Sequence, residues 1–306
     1  MKKTVLQQIQ HNPEQSRRIG LVIDEASDLP KDLVEKNQIA TVPVKMDWPD
    51  VEELPGENTF QKMREAEKRK IKSFGKTSQP SPKDFLDAFK KQLERFDKII
   101  CITLTSKLSG TYNSACQAKN ILGPKGERIF IIDSLNATCG EGLLALKTVD
   151  LIEKNKTIEE IIEELEDFIS QIRLIAMVED PKWLEASGRI SHTLADWVSK
   201  MQKIGFRPIL GIKKGLIKAI GIKAGAKDIP IALFRDFEAK TKKLRNQRKK
   251  IRAAITHGDD LEGAQRLKKM IEEELKGVEV AFINLVDNVL GILVGPNALI
   301  LAWCED

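Results

Sequence analysis

Short, unbroken apolar runs alternate along this chain with longer stretches in which apolar residues recur every three or four positions. A strand covered on both faces must be apolar at successive positions, whereas a helix covered on one side needs only an apolar stripe. IGLVID (19–24), KIICITLT (98–105) and RIFIID (128–133) are of the first kind. Between them the pattern predicts helices over 30–36, over a charged segment at 57–72, and from Ser81 to about Phe96. The last has a complete start signal, with Ser81 as N-cap, Pro82 at the first helical position and Asp84 in the first turn. Phe85, Ala88, Phe89 and Leu93 then share one face. Residues 42–46 read as extended and FGKTSQPSP (74–82) as a loop. Helices after SKLSGTYNSA, to about Leu122, and over 141–153 complete a strand–helix alternation. That alternation predicts a mostly parallel sheet with helices on both faces and right-handed crossovers.

The order changes in the second half. Thr157 and Glu160 form a capping box at the head of TIEEIIEELEDFI. RLIAMVED (173–180) reads as a strand and PKWLEASGRIS as a short helix stopped by its glycine. FRPILGIKKGLIKAIGIK (206–223) reads as two strands about a turn at Lys213, Lys214 and Gly215. Helix 228–244, strand 251–256, helix 259–275, strand 278–285 and an apolar carboxyl-terminal run follow. The mixture predicts an α+β layer on a mixed sheet. The division is therefore an extension at 1–18, a parallel-sheet α/β domain at 19–165 and a mixed-sheet α/β domain at 166–306, joined without a low-complexity linker.

Composition narrows the class. The 306 residues suffice for two ordinary domains, and 42% hydrophobic with 31% charged residues describes a globular chain rather than a disordered one. No run approaches the ~18–20 apolar residues of a membrane span. MKKTVLQQIQHNPEQSRR lacks the apolar stretch of a signal peptide, so the expected location is the cytoplasm. Cys101, Cys116, Cys139 and Cys304 form no CxxC pair and read as reduced thiols, in keeping with that compartment. His11, His192 and His257 stand apart from them, so no metal site is expected. The net charge is only +5, which makes nucleic acid an unlikely partner, yet residues 240–250 hold seven basic and no acidic residues. That run is either a solvated helix end or a docking patch for an acidic partner.

Candidate chemistry concentrates at 98–122. In an open parallel sheet, ligands sit at the carboxyl ends of the strands, and a helix amino terminus stabilises an anion. Here that end delivers Thr105, Ser106, Ser109, Gly110 and Thr111 directly before a helix. The plainer alternative is that Ser109 is only an N-cap. Thr77, Ser78, Gln79 and Pro80 offer further hydroxyl and amide groups, but locally they read as a turn. Asp133 and Ser134 read as turn or supporting chemistry. Ser109 as a nucleophile would need a base that no neighbouring residue supplies, and LSGTY is not the G-x-S-x-G elbow. Neither Walker A nor GxGxxG occurs. These residues can hold an anion and offer little to transform it.

IGLVIDEASDLP with VPVKM, GKTSQPSPKDF, ITLTSKLSGTYNSA, IIDSLNATCGEG, WLEASGRIS and RPILGIKKG resemble, in order, the motifs of the DegV family of fatty-acid-binding proteins, over roughly residues 19–302. The resemblance implies a three-layer α/β/α parallel-sheet domain and a smaller two-layer α/β mixed-sheet domain, with a long-chain fatty acid between them. It further implies a non-enzymatic protein without cofactor. In bacterial fatty acid kinase systems, which feed phospholipid metabolism, such a protein presents the carboxylate to an ATP-dependent kinase subunit. The implied ligand contacts are Thr77, Ser78, Ser109, Gly110 and Thr111, with the carboxylate-holding hydroxyls on Thr77 and Ser109. The sequence departs from the family pattern in places. Leu293 stands where a carboxylate-binding histidine is common, and Asn297 replaces the last glycine of that segment. Glu25 and Ala26 replace hydroxyl residues, and Arg207 replaces a lysine. An acid at 25 would repel a carboxylate unless protonated or turned away. Two other readings stay open: a serine-dependent hydrolase or transferase, and a regulatory relative with a degenerate lipid site.

Overall fold

The structure is a computed structural model, and it describes residues 19–224 and 228–306. The extension 1–18, with His11, lies outside the described residues. The first half runs β1 (Ile19–Asp24), α1 (Lys31–Lys36), β2 (Ala40–Val42), β3 (Lys45–Asp47), α2 (Pro49–Glu52), α3 (Thr59–Lys68), β4 (Lys76–Ser78), α4 (Pro82–Leu93), β5 (Lys98–Thr103), α5 (Thr111–Ile121), β6 (Ile129–Asp133) and α6 (Thr138–Glu153). Strands β2, β1, β5 and β6 form a parallel sheet in that order. Its strands are continuously apolar because both faces are covered. Val22, Ile99, Cys101 and Ile129 pack with Phe85 and Phe89 of α4 and with Ala115 and Ala118 of α5. Leu21, Ile23, Ile100 and Ile102 point the other way, into a core that α6 shares. Ser81 caps α4 as the sequence predicts, and Asp84 closes a capping box with it.

The second half runs α7 (Ile158–Ile169), β7 (Arg173–Met177), α8 (Lys182–Ala186), α9 (His192–Lys203), β8 (Phe206–Lys213), β9 (Leu216–Ala224), α10 (Ile229–Asn246), β10 (Ile251–His257), α11 (Leu261–Glu274), β11 (Val278–Leu285), α12 (Asn288–Val294) and β12 (Leu299–Glu305). The six-stranded sheet has the order β11-β10-β12-β7-β8-β9, with only β10 and β11 parallel. Leu233 and Phe237 of α10 and Leu267 and Ile271 of α11 cover one face. The other face, including Leu174, Leu210, Phe282 and Ile300, joins the core that α6 and the parallel sheet share. Helix α6 is thus wedged between the two sheets. A Cβ on its Gly142 would lie 2.8 Å from both the Ser27 carbonyl oxygen and the Phe282 ring, so glycine is what permits the approach. The α/β class and the pairing of a parallel with a mixed sheet agree with the sequence.

Several local expectations change. KTS (76–78) is not loop but strand β4, which pairs antiparallel with β3, Met46 opposite Thr77. Helix α6 begins at Thr138 rather than 141, and α3 is confined to Thr59–Lys68. Strands β5 and β7 stop at Thr103 and Met177, short of their apolar runs. Helices α2, α9 and α12 escape the periodicity. For α9 a signal exists, since the Ser191 side chain accepts from Leu194 N. The turn between β8 and β9 is as predicted, with Lys214 at φ 51° and Gly215 at φ 79°. Among the described residues all four cysteines are free, no helix is long and apolar enough to cross a membrane, and no His, Cys, Asp and Glu group is placed to hold a metal ion. Most of the basic run 240–250 is exposed, on the end of α10 and the turn beyond it.

Candidate functional site

A cavity lies where the carboxyl ends of β1 and β5 meet the inner face of the mixed sheet. It encloses about 930 Å³ of space, part of it open to solvent. Its wall is almost wholly aliphatic, from Leu104 and Leu108, through Leu174, Ala176 and Val178 of β7 and its extension, to Val289, Leu290, Leu293 and Val294 of α12 and its end. The polar exceptions are Thr77, Ser78, Gln79, Ser109, Thr138 and Arg189. No carboxylate and no histidine is among the wall residues.

Five of these polar residues form one linked group, built from three separate elements. Pairing with β3 holds Thr77 and Ser78 extended. Gln79 Nε2 then donates to Ser114 Oγ on α5 at 2.9 Å, which anchors the end of β4 to that helix. Gly110 makes the contact possible. Its φ of −81° suits any residue, but a Cβ there would come within 1.8 Å of Gln79 Oε1. Ser109 is not the N-cap of α5; Gly110 is, and it has no side chain to cap with. Ser109 Oγ instead accepts from Thr111 N at 3.3 Å and shares a 2.7 Å hydrogen bond with Thr111 Oγ1. Beyond that one N–H, the amino terminus of α5 still presents partial positive charge beside the cavity.

Arg189 completes the group. Its Nη2 donates to Thr77 Oγ1 at 3.0 Å, and its Nη1 donates to the Ser187 carbonyl. It is half-buried, and burial lowers its pKa from the usual arginine value. Among the described residues no carboxylate forms an ion pair with it. With no carboxylate beside it, the Arg189 guanidinium makes the polar end of the cavity positive. The Thr77 hydroxyl accepts from Arg189 and so keeps its own hydrogen for a further partner.

Of the sequence-predicted contacts, Thr77, Ser78, Ser109 and Leu293 line the cavity. Gly110 and Thr111 do not line it; Gly110 admits Gln79, and buried Thr111 bonds to Ser109. Leu293 is 8% exposed and belongs to the aliphatic wall. Neither histidine in the described residues reaches the cavity. His257 accepts from Asp260 N through Nδ1 at 3.1 Å, and burial lowers its pKa, while His192 pairs with Glu185 on the surface. Asn297 takes a left-handed φ of 59°, a conformation that glycine and asparagine tolerate, and its Oδ1 accepts from Arg64 Nη2 at 2.8 Å. Glu25 is turned away, with Oε2 accepting from Val44 N at 3.3 Å. Arg207 Nη1 donates to the carbonyl of Val178, one of the wall residues.

Three site residues escape the sequence: Gln79 as a tether, Arg189 and Thr138. Arg189 is one arginine in SGRIS, and no spacing ties it to Thr77, 112 positions away. Thr138 carries φ 49°, a strained conformation for a β-branched residue, right at the wall. Chemically the site can bind an amphiphile with one anionic end. It is poorly equipped for hydrolysis, because the side-chain partner of Ser109 is another hydroxyl rather than a base.

Comparison with known proteins identifies the family. A family profile described as "Uncharacterised protein, DegV family" matches residues 18–306. A fatty acid-binding protein of Thermotoga maritima is 29% identical over 297 residues, covering 92% of this chain and 96% of its own. A DegV domain-containing protein of Clostridium acetobutylicum is 36% identical over 203 residues, 65% of this chain and 69% of its own. Among solved structures, a fatty-acid-binding DegV family protein from Thermus thermophilus superposes with a TM-score of 0.81 at 26% identity, covering 94% of this chain and all of its own. DegV from Bacillus subtilis, a fatty acid binding protein, gives 0.76 at 25% identity, covering 95% and 100%. Profile, relatives and fold agree, and the chain belongs to the DegV family.

Proposed function

We propose that this protein binds a long-chain fatty acid in the cavity, its carboxylate at the Thr77, Ser109 and Arg189 end and its tail along the aliphatic wall. The observation that carries this reading is the half-buried, anion-free Arg189 at the polar end of an otherwise apolar cavity. Ser78 and Gln79 flank the head group, Gly110 and Thr111 fix its setting, and Leu293 contributes tail surface in place of a histidine. Each buried CH₂ is worth ~0.8 kcal/mol, so a sixteen-carbon tail supplies on the order of 10 kcal/mol before ordering costs. The polar group need only orient the ligand. Three of the relatives named above, from Thermotoga maritima, Thermus thermophilus and Bacillus subtilis, are fatty-acid-binding proteins, which supports the same assignment.

The protein acts in this reading as a carrier with no catalytic residue and no cofactor. Residues 19–165 and 166–306 are its two domains, with the ligand between them. Its destination is an ATP-dependent fatty acid kinase subunit in the cytoplasm, and the basic run 240–250 favours an acidic protein surface or an anionic membrane from which lipid is collected. Mass spectrometry of organic extracts of the purified protein tests the reading. A stoichiometric fatty acid is expected. Failure to retain or take up any fatty acid would leave a relative with a degenerate site, and turnover of a carboxylic ester would reinstate the hydrolase.

A further inference from the structure

One polar residue on the cavity wall, Thr138, stands apart from the head-group residues. Among the described residues no hydrogen bond joins it to Thr77, Ser78, Gln79, Ser109 or Arg189. It opens α6 among aliphatic neighbours. Two positions on, a Cβ at Gly140 would lie 3.3 Å from Leu174 Cδ1. The next residue, Cys139, holds its Sγ 3.9 Å from the carbonyl oxygen of Ile300, which pairs opposite Ala176. Leu174, Ala176 and Ile300 are all wall residues. Thr138 therefore borders the stretch of wall assigned above to the tail.

The hydroxyl of Thr138 is poorly bonded for a buried group. The residue is 4% exposed, and among the described residues its hydroxyl makes one hydrogen bond, to Cys139 Sγ at 3.8 Å. A thiol sulfur is a weak acceptor, and the hydroxyl also has two lone pairs to satisfy. Leaving it so in an apolar wall is costly. The helix start adds to the imbalance, since no side chain caps α6 and the amides of Thr138 and Cys139 find no acceptor among the described residues. A plain hydrocarbon tail offers these groups nothing, whereas an oxygen on the tail would accept from them. We propose that the cavity favours a fatty acid with a hydroxyl group on its chain, and that Thr138 is the hydrogen-bond partner of that hydroxyl. The inference rests on the lipid reading above and adds the class of lipid. Against the rest of the wall a chain hydroxyl would lose its water without compensation, so its position along the chain matters.

The test is displacement of a fluorescent fatty acid from the purified, delipidated protein. The competitors are stearic acid and hydroxystearic acids with the hydroxyl on the third, tenth or twelfth carbon. At least one hydroxystearic acid should bind as tightly as stearic acid or more tightly. For that isomer, Thr138→Val should lower the ratio of hydroxystearate to stearate affinity about five-fold or more, the worth of one hydrogen bond, and Thr138→Ser should keep the parent's ratio. Valine retains the branched shape at the left-handed φ of 49°; should that variant not fold, Thr138→Ala against Thr138→Ser gives the same comparison. Two results overturn the assignment and leave the lipid reading intact: every hydroxystearic acid about ten-fold weaker than stearic acid, or a ratio unchanged on loss of the hydroxyl. Either would mean that a water molecule, not the ligand, satisfies Thr138. No binding of any acid overturns both readings.

Discussion

Raising the pH from about 5.5 to about 8 should destabilise this protein, although most carboxylate-rich proteins change little over that range. The cause is a set of buried acids behind the cavity wall. Burial is the largest influence on Asp24 and pushes its pKa from 3.8 up to about 7, against the backbone hydrogen bonds from Leu104 and Ala26, which lower it. Burial likewise carries Asp287 to about 6 and holds Asp28 and Glu141 well above the usual carboxylate range. A carboxyl whose folded pKa is raised favours the folded state below its unfolded pKa, and that contribution disappears as the pH passes the folded value. For Asp24 the part of the shift lying above pH 5.5 is about one and a half units, or about 2 kcal/mol lost by pH 8. His257 works the other way, since burial lowers its pKa and its protonation below about 6.5 favours unfolding. One histidine opposes four carboxyls, so the carboxyls prevail. By size scaling the net loss lowers Tm by a few degrees. Thermal melts at constant ionic strength, on lipid-free and lipid-loaded protein, measure this. Glu141→Gln should flatten the slope, because neither Glu141 oxygen has a hydrogen-bond partner to lose. A Tm that is level or rises from 5.5 to 8 would refute the account of buried, proton-holding carboxyls.

Other outcomes follow from the lipid site. Ser109→Ala and Thr77→Val should each weaken fatty acid binding about ten-fold or more, at about 1.5–3 kcal/mol per hydrogen bond to a charged group, with melting little changed. Arg189→Gln should cost at least as much; affinity within two-fold of the parent in all three would remove the head-group assignment. Lipid affinity of the parent should be nearly flat from about pH 5 to 8 once the ligand's own ionisation is allowed for, whereas Leu293→His should tighten binding at the acidic end. A strong midpoint in the parent would mean that another titrating group reaches the carboxylate. Reversing Lys242, Lys243 and Arg248 should slow association with anionic vesicles or a kinase partner and reduce its salt dependence, leaving lipid affinity intact. Unchanged association at low salt would reduce the run to a solvated helix end.

What the sequence disclosed divides along a physical line. Strands β1, β5 and β6 were legible because two-sided burial writes an unbroken apolar run, and α4 because Ser81, Pro82 and Asp84 are local capping chemistry. Helix α6 was harder at its start. Lying between two sheets, it buries Thr138, Cys139, Gly140 and Glu141 in its first turn, so it lacks the polar face that marks a helix beginning. Strand β4 carries almost no apolar signal, since Lys76 and Ser78 are exposed, and it exists through pairing with β3. Thr77 and Ser109 were reached through family resemblance, and nothing local could have joined them. What joins them is the Gln79 amide resting on the missing Cβ of Gly110, a contact with no footprint in either segment alone.

In the proposed lipid site the same distinction offers a reason why leucine at 293 is compatible with carboxylate binding. A contact from α12 is dispensable if the charge it would supply comes from elsewhere, and Arg189 reaches Thr77 from the segment between α8 and α9. In the proposed lipid site the guanidinium stays charged at every physiological pH, so a head group held by Arg189 would feel a steady electrostatic pull without proton control. Leu293 lies in the aliphatic wall with Val289, Leu290 and Val294, and in that proposal it adds surface for the tail. Behind that wall, the Asp24 carboxyl accepts from the backbone N–H groups of Ala26 and Leu104, two wall residues, at 3.0 and 2.7 Å. On the proposed placement of the ligand, titration lies in the frame supporting its polar end rather than at that end, so pH should act on stability more strongly than on lipid affinity.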